Sequence, residues 1–384
     1  MDAYLSILRY QPPVLAVEDL YFVLPSTYAL YNANGLHVFD TRYSIEPAVR
    51  SHTTMCDLIE VISQSSESLE APADGLMLAE DIQLGICALQ SRLWHRSMKS
   101  HMPDFSTVIE LNHIKKRLET WKHFFTRIDV SEPDASSFTA IQHWAMRFYY
   151  GMEDHSKSGW QNMVYYRQKS LVYDGIALYH LSMLHLYSNV RLLSQLCKDL
   201  IPPKQVEDGR EEYQKARQRR NTYVKEWAKS STSRRALYHA AAILGIYNDM
   251  LTPLRKGMDP IIYIALSVSA LVSWAYTLFA IHNCEGCTLE MQNLISSGIL
   301  PAVELTNGSD IDVEPTLEKE KESWIDSGHG NISLSGILIC RCTLSSIISI
   351  YQSCLQKDWE VANTIAPGVF RSEDSTMGGT NSGV

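Results

Sequence analysis

Cys284-Glu-Gly-Cys287 has the spacing of half a zinc site. The thiol pair that could complete it is Cys340-Arg-Cys342. That pair falls in a segment whose pattern predicts a helix, where a Cys-x-Cys step turns the two sulfurs about 200° apart. Chelation by both pairs is therefore not expected, and the cysteines read as turn or core residues. The 13 histidines form no metalloprotease or haem pattern. His180 and His185 lie five apart on a predicted helix and do not share a face; with His239 they read as buried or boundary side chains. No nucleophile elbow, P-loop or dinucleotide fingerprint is present. A diphosphate-handling α-helical enzyme would need carboxylates clustered around Mg²⁺. Glu80-Asp81 is followed by Ile82-Gln83-Leu84, and Asn248-Asp249 lacks the further ligands. The remaining candidate is a charge feature. Nine basic residues stand between Asp208 and Arg235, opposed by four acids. Within them Arg217, Arg219 and Arg220 are a candidate phosphate or nuclear-import contact; the alternative is a solvated, ion-paired helix face.

These residues must be positioned by helices. Leu78, Ile82, Ile86, Leu89 and Leu93 recur on one helical face, as do Val108, Leu111, Ile114, Leu118, Trp121, Phe125 and Ile128. Thr107 and Glu110 have capping-box spacing at the start of the second of these. Leu171 to Leu200 reads as one long helix stopped by Pro202-Pro203. Glu211 to Lys229 is amphipathic and basic, and Ser233 is placed to cap a helix from Arg234 to Met250. Pro260 opens an uncharged stretch, Ile261 to Ile281, long enough to cross a bilayer. A helix buried all round gives the same pattern. The single such stretch, without a block of basic residues at its flanks, favours the buried helix over the membrane. A last helix is expected from about Leu334 to Leu355, and no alternation is strong enough to predict a sheet.

Composition bounds the rest. The chain has 384 residues, 45% hydrophobic and 20% charged, with a formal net charge of −9. Such usage excludes a disordered or collagen-like chain, and the acidic balance argues against a molecule built as a whole to hold a polyanion. Eight cysteines in this length do not make a disulfide scaffold. The first ten residues lack a secretory pattern, so reduced thiols are expected. The sequons at Asn307 and Asn331 then carry no meaning. The expected organisation is an irregular part with short helices over 1–73 and a helical core over 74–300. An acidic solvated excursion over 301–331, a C-terminal helix over 332–365 and a disordered tail over 366–384 complete it. A turn-forming linker is expected at Ser131 to Ser137. Trp94, Trp121, Trp160, Trp227 and Trp274 are expected as packing residues.

Five stretches in order carry a family resemblance. They are Leu24-Pro25-Ser-Thr-Tyr-Ala-Leu30-Tyr-Asn-Ala33, Ala88-Leu-Gln-Ser-Arg-Leu-Trp94, Arg117-Leu-Glu-Thr-Trp121-Lys, Leu178-Tyr-His-Leu-Ser-Met-Leu-His-Leu-Tyr187-Ser-Asn-Val-Arg-Leu-Leu193, and Arg234-Arg-Ala-Leu-Tyr-His-Ala-Ala-Ala242. Together they resemble the fungal-specific transcription factor domain, the middle homology region of fungal zinc-cluster and C2H2 regulators. The resemblance covers roughly residues 15 to 300. It implies an all-α, multi-helix regulatory domain with the apolar stretch near 261–281 buried inside it. It implies a nuclear protein, with the cytoplasm as the alternative, that acts in transcription regulation through protein partners, among them another regulator of the family, and through a small-molecule effector. It implies no catalytic residue and no cofactor in this chain. Family members carry zinc in an N-terminal DNA-binding module, and neither cysteine pattern of that module occurs here. Direct specific DNA contact is therefore not expected of this chain, which reads either as a shortened regulator or as a sequence lacking its first exons. The competing class is an all-α enzyme of fungal secondary metabolism with an unrecognised active site. No membrane association is expected.

Overall fold

The structure is a computed structural model. It describes residues 6, 14, 17–64, 77–99, 105–128, 147–150, 156–200, 210–250, 252–255, 257–280, 303–305, 315–355 and 360–370. The expected linker at Ser131 to Ser137 lies outside them, as do Cys284 and Cys287. The fold is all-α as expected: fourteen α-helices and one small three-stranded sheet among the described residues. The chain divides into two compact units, Met1–Ser182 with Met250–Asp259, and Met183–Asp249 with Pro260–Val384. This division falls inside the 74–300 region that the sequence presents as one helical core.

The first unit contains α1 (Tyr28–Tyr31), α2 (Leu36–Tyr43), α3 (Met55–Gln64), α4 (Ala79–Lys99), α5 (Phe105–Ile128) and most of α6 (Trp160–Tyr187). The apolar stripe expected on α4 is buried at all five positions, and Ile114, Leu118, Trp121 and Phe125 do the same for α5. Helix α5 starts at Phe105, so Thr107 lies inside its first turn and is not the cap. Two glycines let the helices close up. A Cβ on Gly85 of α4 would run into the Trp121 ring, and one on Gly175 of α6 into the Phe125 ring. Polar ties add register: Gln83 donates to the Leu171 carbonyl (2.9 Å), and Gln90 to the Ser182 hydroxyl (3.3 Å).

The start of α4 is fixed by a buried ion pair. Asp81 is its third residue and accepts from the Leu78 N–H (2.8 Å), the reciprocal bond of a helix start. Its carboxylate also takes two bonds from Arg50, at 2.6 and 3.0 Å. Arg50 places two further donors on the Pro25 carbonyl, 2.6 and 3.2 Å away. A pair removed from water is tolerable only when every lone pair and donor is met this way. Tyr149 completes the corner by its hydroxyl, which accepts from the Ala79 N–H (3.3 Å).

The second unit holds α7 (Val190–Asp199), α8 (Arg210–Ala228), α9 (Ser231–Asp249), α11 (Pro260–Phe279), α12 (Pro315–Ser327), α13 (Leu344–Cys354) and α14 (Glu360–Ile365); the short α10 (Thr252–Arg255) belongs to the first. Helix α11 is the uncharged stretch. It is buried from Ile261 to Thr277 and lies against α7, α8, α9, α13 and α14. Two of its buried hydroxyls are met: Ser267 donates back to the Tyr263 carbonyl (2.7 Å), and Ser273 pairs with the Tyr351 hydroxyl of α13 (3.0 Å), whereas those of Ser269 and Thr277 are enclosed without a partner.

Several boundaries differ from the sequence reading. Leu171 to Leu200 is not one helix: it breaks after Tyr187, and Asn189 caps α7 by accepting from the Leu192 N–H (3.0 Å). Ser233 does not cap α9. Helix α9 begins at Ser231, and the Ser230 hydroxyl takes the Ser233 N–H (3.3 Å). Part of the expected solvated excursion over 301–331 is structured. It contains β1 (Val303–Glu304) and α12, whose Trp324 and Ile325 are buried. The expected C-terminal helix over 332–365 is instead a hairpin, β2 (Ile332–Leu334) and β3 (Ile337–Leu338), then α13 and α14. β1 runs parallel to β2 and β2 antiparallel to β3. Ser335 (φ 50°) and Gly336 (φ 75°) make the two-residue turn that suits a twisted hairpin. Cys340 is therefore a buried residue ahead of a short 3₁₀ turn, and Cys342 is exposed. The expected tail begins with Ala366 and Val369 buried; 371–384 lie outside the described residues.

Candidate functional site

The basic segment folds into α8 because its few apolar residues, Val224, Trp227 and Ala228, recur on one side and are buried. The Trp227 indole N–H is met by the Tyr187 carbonyl (2.9 Å). The remaining surface is polar and open. Glu211 and Lys215 pair one turn apart at 2.6 Å, as do Glu226 and Lys229 at 3.8 Å, both in solvent. Such exposed pairs contribute little.

The three arginines do not form one patch. Arg217 and Arg219 are exposed. Arg220 is committed to the fold: its Nε and Nη2 each donate to the Asp199 carboxylate at 2.8 Å. The Tyr213 hydroxyl donates to the same carboxylate (2.9 Å), and that bond holds the phenol above its ordinary range. Asp199 is the last residue of α7, a place where helix geometry concentrates negative potential. Its side chain is 4% exposed. The planar fork of Arg220 offsets both penalties. Sequence reasoning missed Asp199. The signal was there: a carboxylate at the wrong end of a helix asks for a cation, and the following helix supplies one. What remains for a phosphate is a pair of solvated guanidiniums, Arg217 and Arg219, with Lys225 exposed beyond them.

The other candidates resolve similarly. Of Glu80-Asp81, Asp81 is spent on Arg50, and burial lifts the Glu80 carboxyl to about 6. Asn248 and Asp249 are exposed at the end of α9. His180 is buried edge-on to Tyr179, and His239 is stacked on Tyr187 at 5.7 Å. His185 has its Nε2 enclosed without a partner, and burial lowers it to about 4. Asp174, on α6, is the most perturbed carboxyl among the described residues. Burial, and then the nearby Asp259, raise it to about 7, while Ser170 donates a bond that opposes the rise. No group of three or more His, Cys, Asp or Glu side chains that could hold a metal occurs among the described residues. Trp121, Trp227 and Trp274 are buried in the cores of their units.

No family model, curated protein or solved structure matches this chain.

Proposed function

We propose that the chain is a regulatory domain of the fungal transcription-factor type, acting in the nucleus through protein contacts and a small-molecule effector rather than by catalysis. The order and spacing of the five stretches 24–33, 88–94, 117–122, 178–193 and 234–242 carry this proposal. Their placement on helices supports it: the second and third lie within α4 and α5, the fourth spans α6 and α7, and the fifth lies in α9. In those stretches Leu89, Leu93, Leu118, Trp121, Leu178, Leu181 and Leu237 are buried. The stretches thus fix a scaffold, and polar residues outside them are left for partners. A partner, another regulator of the same type, supplies the contact with DNA, and the chain itself holds no cofactor.

Tethering tests this. The full 384-residue chain is fused to an unrelated DNA-binding domain and placed upstream of a reporter. A change of at least about threefold in reporter output, with nuclear accumulation of the unfused chain, is expected. An unchanged reporter with a chain excluded from nuclei overturns the proposal.

A further inference from the structure

The exposed large apolar side chains of the described residues are not scattered. Ten of the fourteen lie between Val14 and Val49. Single exposed apolar residues are ordinary, whereas a concentration of them marks a contact surface. Helix α2 is the centre of this one. None of its eight residues is buried. Leu36, Phe39 and Tyr43 recur at helical spacing, so they share a face, and the Phe39 and Tyr43 rings stack at 5.8 Å. Leu36 is 83% exposed, Phe39 42% and Tyr43 59%; Tyr31 on the adjoining α1 is 83% exposed, and Ile45 just past α2 is 45% exposed.

The helix is not a loose appendage. Arg42, on the flank of that face, bonds the Ala29 carbonyl, 2.5 Å away. Glu46, just beyond it, takes the Thr27 N–H (2.8 Å) and hydroxyl (2.7 Å). Segment 20–24 is held in turn against 53–56 by paired backbone bonds such as Leu24 N–H to the Thr53 carbonyl (2.9 Å). The apolar face is thus presented by a braced lobe, at no ordering cost when a partner arrives.

We infer that this face is the contact surface between two copies of the chain, joined about a two-fold axis by antiparallel pairing of α2. The inference stands on the exposure pattern and does not depend on the regulatory proposal. Area favours it. The five named side chains leave roughly 500–600 Å² of apolar surface per copy, taking aromatic rings at about 200 Å² each. A standard interface removes about 800 Å² per partner, a little over half of it apolar. Charge selects the occupant. A nucleic acid or an acidic membrane would need a cationic rim, but α2 carries one acid, Asp40, and one base, Arg42. A surface of tyrosine, phenylalanine and leucine with balanced charge has the composition of an interface core. A two-fold axis through the middle of α2 sets the Leu36, Phe39 and Tyr43 face of one copy against the same face of the other, as an isologous interface requires.

Sedimentation equilibrium of the full chain between about 1 and 50 µM gives the test. The expected mass is twice the 43.5 kDa of one chain. Leu36→Asp with Phe39→Asp is expected to weaken association at least about 100-fold, since both sit at the centre of the face. Thermal unfolding of that variant is expected to match the parent under conditions where both are monomeric, because neither side chain is buried in one copy. A 43.5 kDa species throughout the range overturns the inference. So does a dimer indifferent to Leu36 and Phe39, or a monomer whose α2 face instead binds neutral phosphatidylcholine vesicles.

Discussion

Asp174 is enclosed on α6 with one carboxyl oxygen unmet, and Asp259 lies near it. Both burial and the like charge disfavour ionisation, so its folded value rises from 3.8 to about 7. Between those two values the folded chain keeps a proton that the unfolded chain has lost. Stability contributed by this group is therefore full below about pH 4 and falls as pH rises through 7. Glu80, raised to about 6 by burial, acts in the same direction over a narrower window. His185 works oppositely: lowered to about 4, it costs stability as pH falls from 6.5. Above pH 6.5 the histidine no longer contributes and the Asp174 loss remains. Replacing Asp174 by Asn is expected to raise unfolding free energy at pH 8 by about 2–4 kcal/mol, the upper figure following from about 1.4 kcal/mol per unit of displacement. Urea titrations of both proteins at about pH 5 and about pH 8 measure it, and an equal gain at both pH values refutes the ionisation account. None of this is legible in the sequence. Asp174 stands in a helix that also buries Gln168, His180 and Ser182, and its own enclosure, with Asp259 from far along the chain beside it, is set by tertiary packing.

Helices whose apolar residues fall on one face are legible in the sequence, as α4 and α5 illustrate: Leu78 to Leu93 and Ile114 to Phe125 are buried where the 3.6-residue period puts them. The pattern misleads where short-range chemistry competes with that period. Asn189 interrupts an apolar run because its side chain caps the next helix better than it continues the last. The hairpin at Ser335-Gly336 is hidden by a run of Ile and Leu that suits a helix equally well, although the Ser-Gly pair is a turn signal. Helix α12 reads as solvated because its charged residues outnumber its apolar ones. It is held by Arg234 of α9, which donates to the Ile325 (2.6 Å) and Asp326 (3.0 Å) carbonyls at its C-terminal end. Close helix approach yields a sharp expectation. Gly175→Ala should destabilise by about 1–3 kcal/mol, because the Phe125 ring must move. Adding Phe125→Leu should return part of that, a non-additivity that a double-mutant cycle in urea detects. The basic helix gives another. Arg220→Ala leaves the buried Asp199 carboxylate short of its cation and should cost about 2–4 kcal/mol. Arg217→Ala and Arg219→Ala should each stay within about 0.5 kcal/mol. Equal losses at all three positions would mean that the arginines act as one structural patch.

Across the whole chain, the acidic balance and the placement of cations limit what the molecule can hold. The net charge of −9 repels a polyanion at long range, and salt confines any attraction to about 10 Å. Helix α8 offers a local exception, but its arrangement is thinner than the sequence suggests. Arg220 is tied to Asp199, Lys215 to Glu211, and Lys229 to Glu226. Arg217 and Arg219 are left as the exposed pair of the candidate triad. Phosphate contacts of this kind position a protein without reading bases, and reading requires side chains delivered to groove edges. The purified chain is therefore expected to bind duplex DNA in the non-specific range, about 10⁻⁴ to 10⁻⁶ M, with no preference between promoter and random fragments. Arg217 and Lys225, the exposed cations that come nearest to sharing a side of α8, set the salt response: log affinity against log salt should slope near about −2. Arg217→Ala with Arg219→Ala should flatten that slope while leaving thermal unfolding unchanged. An electrophoretic shift titration at about 0.05, 0.1 and 0.2 M salt measures both quantities. Sequence-selective nanomolar binding that persists at about 0.2 M would require a base-reading element that α8 does not provide, and would overturn the assignment of DNA contact to a partner.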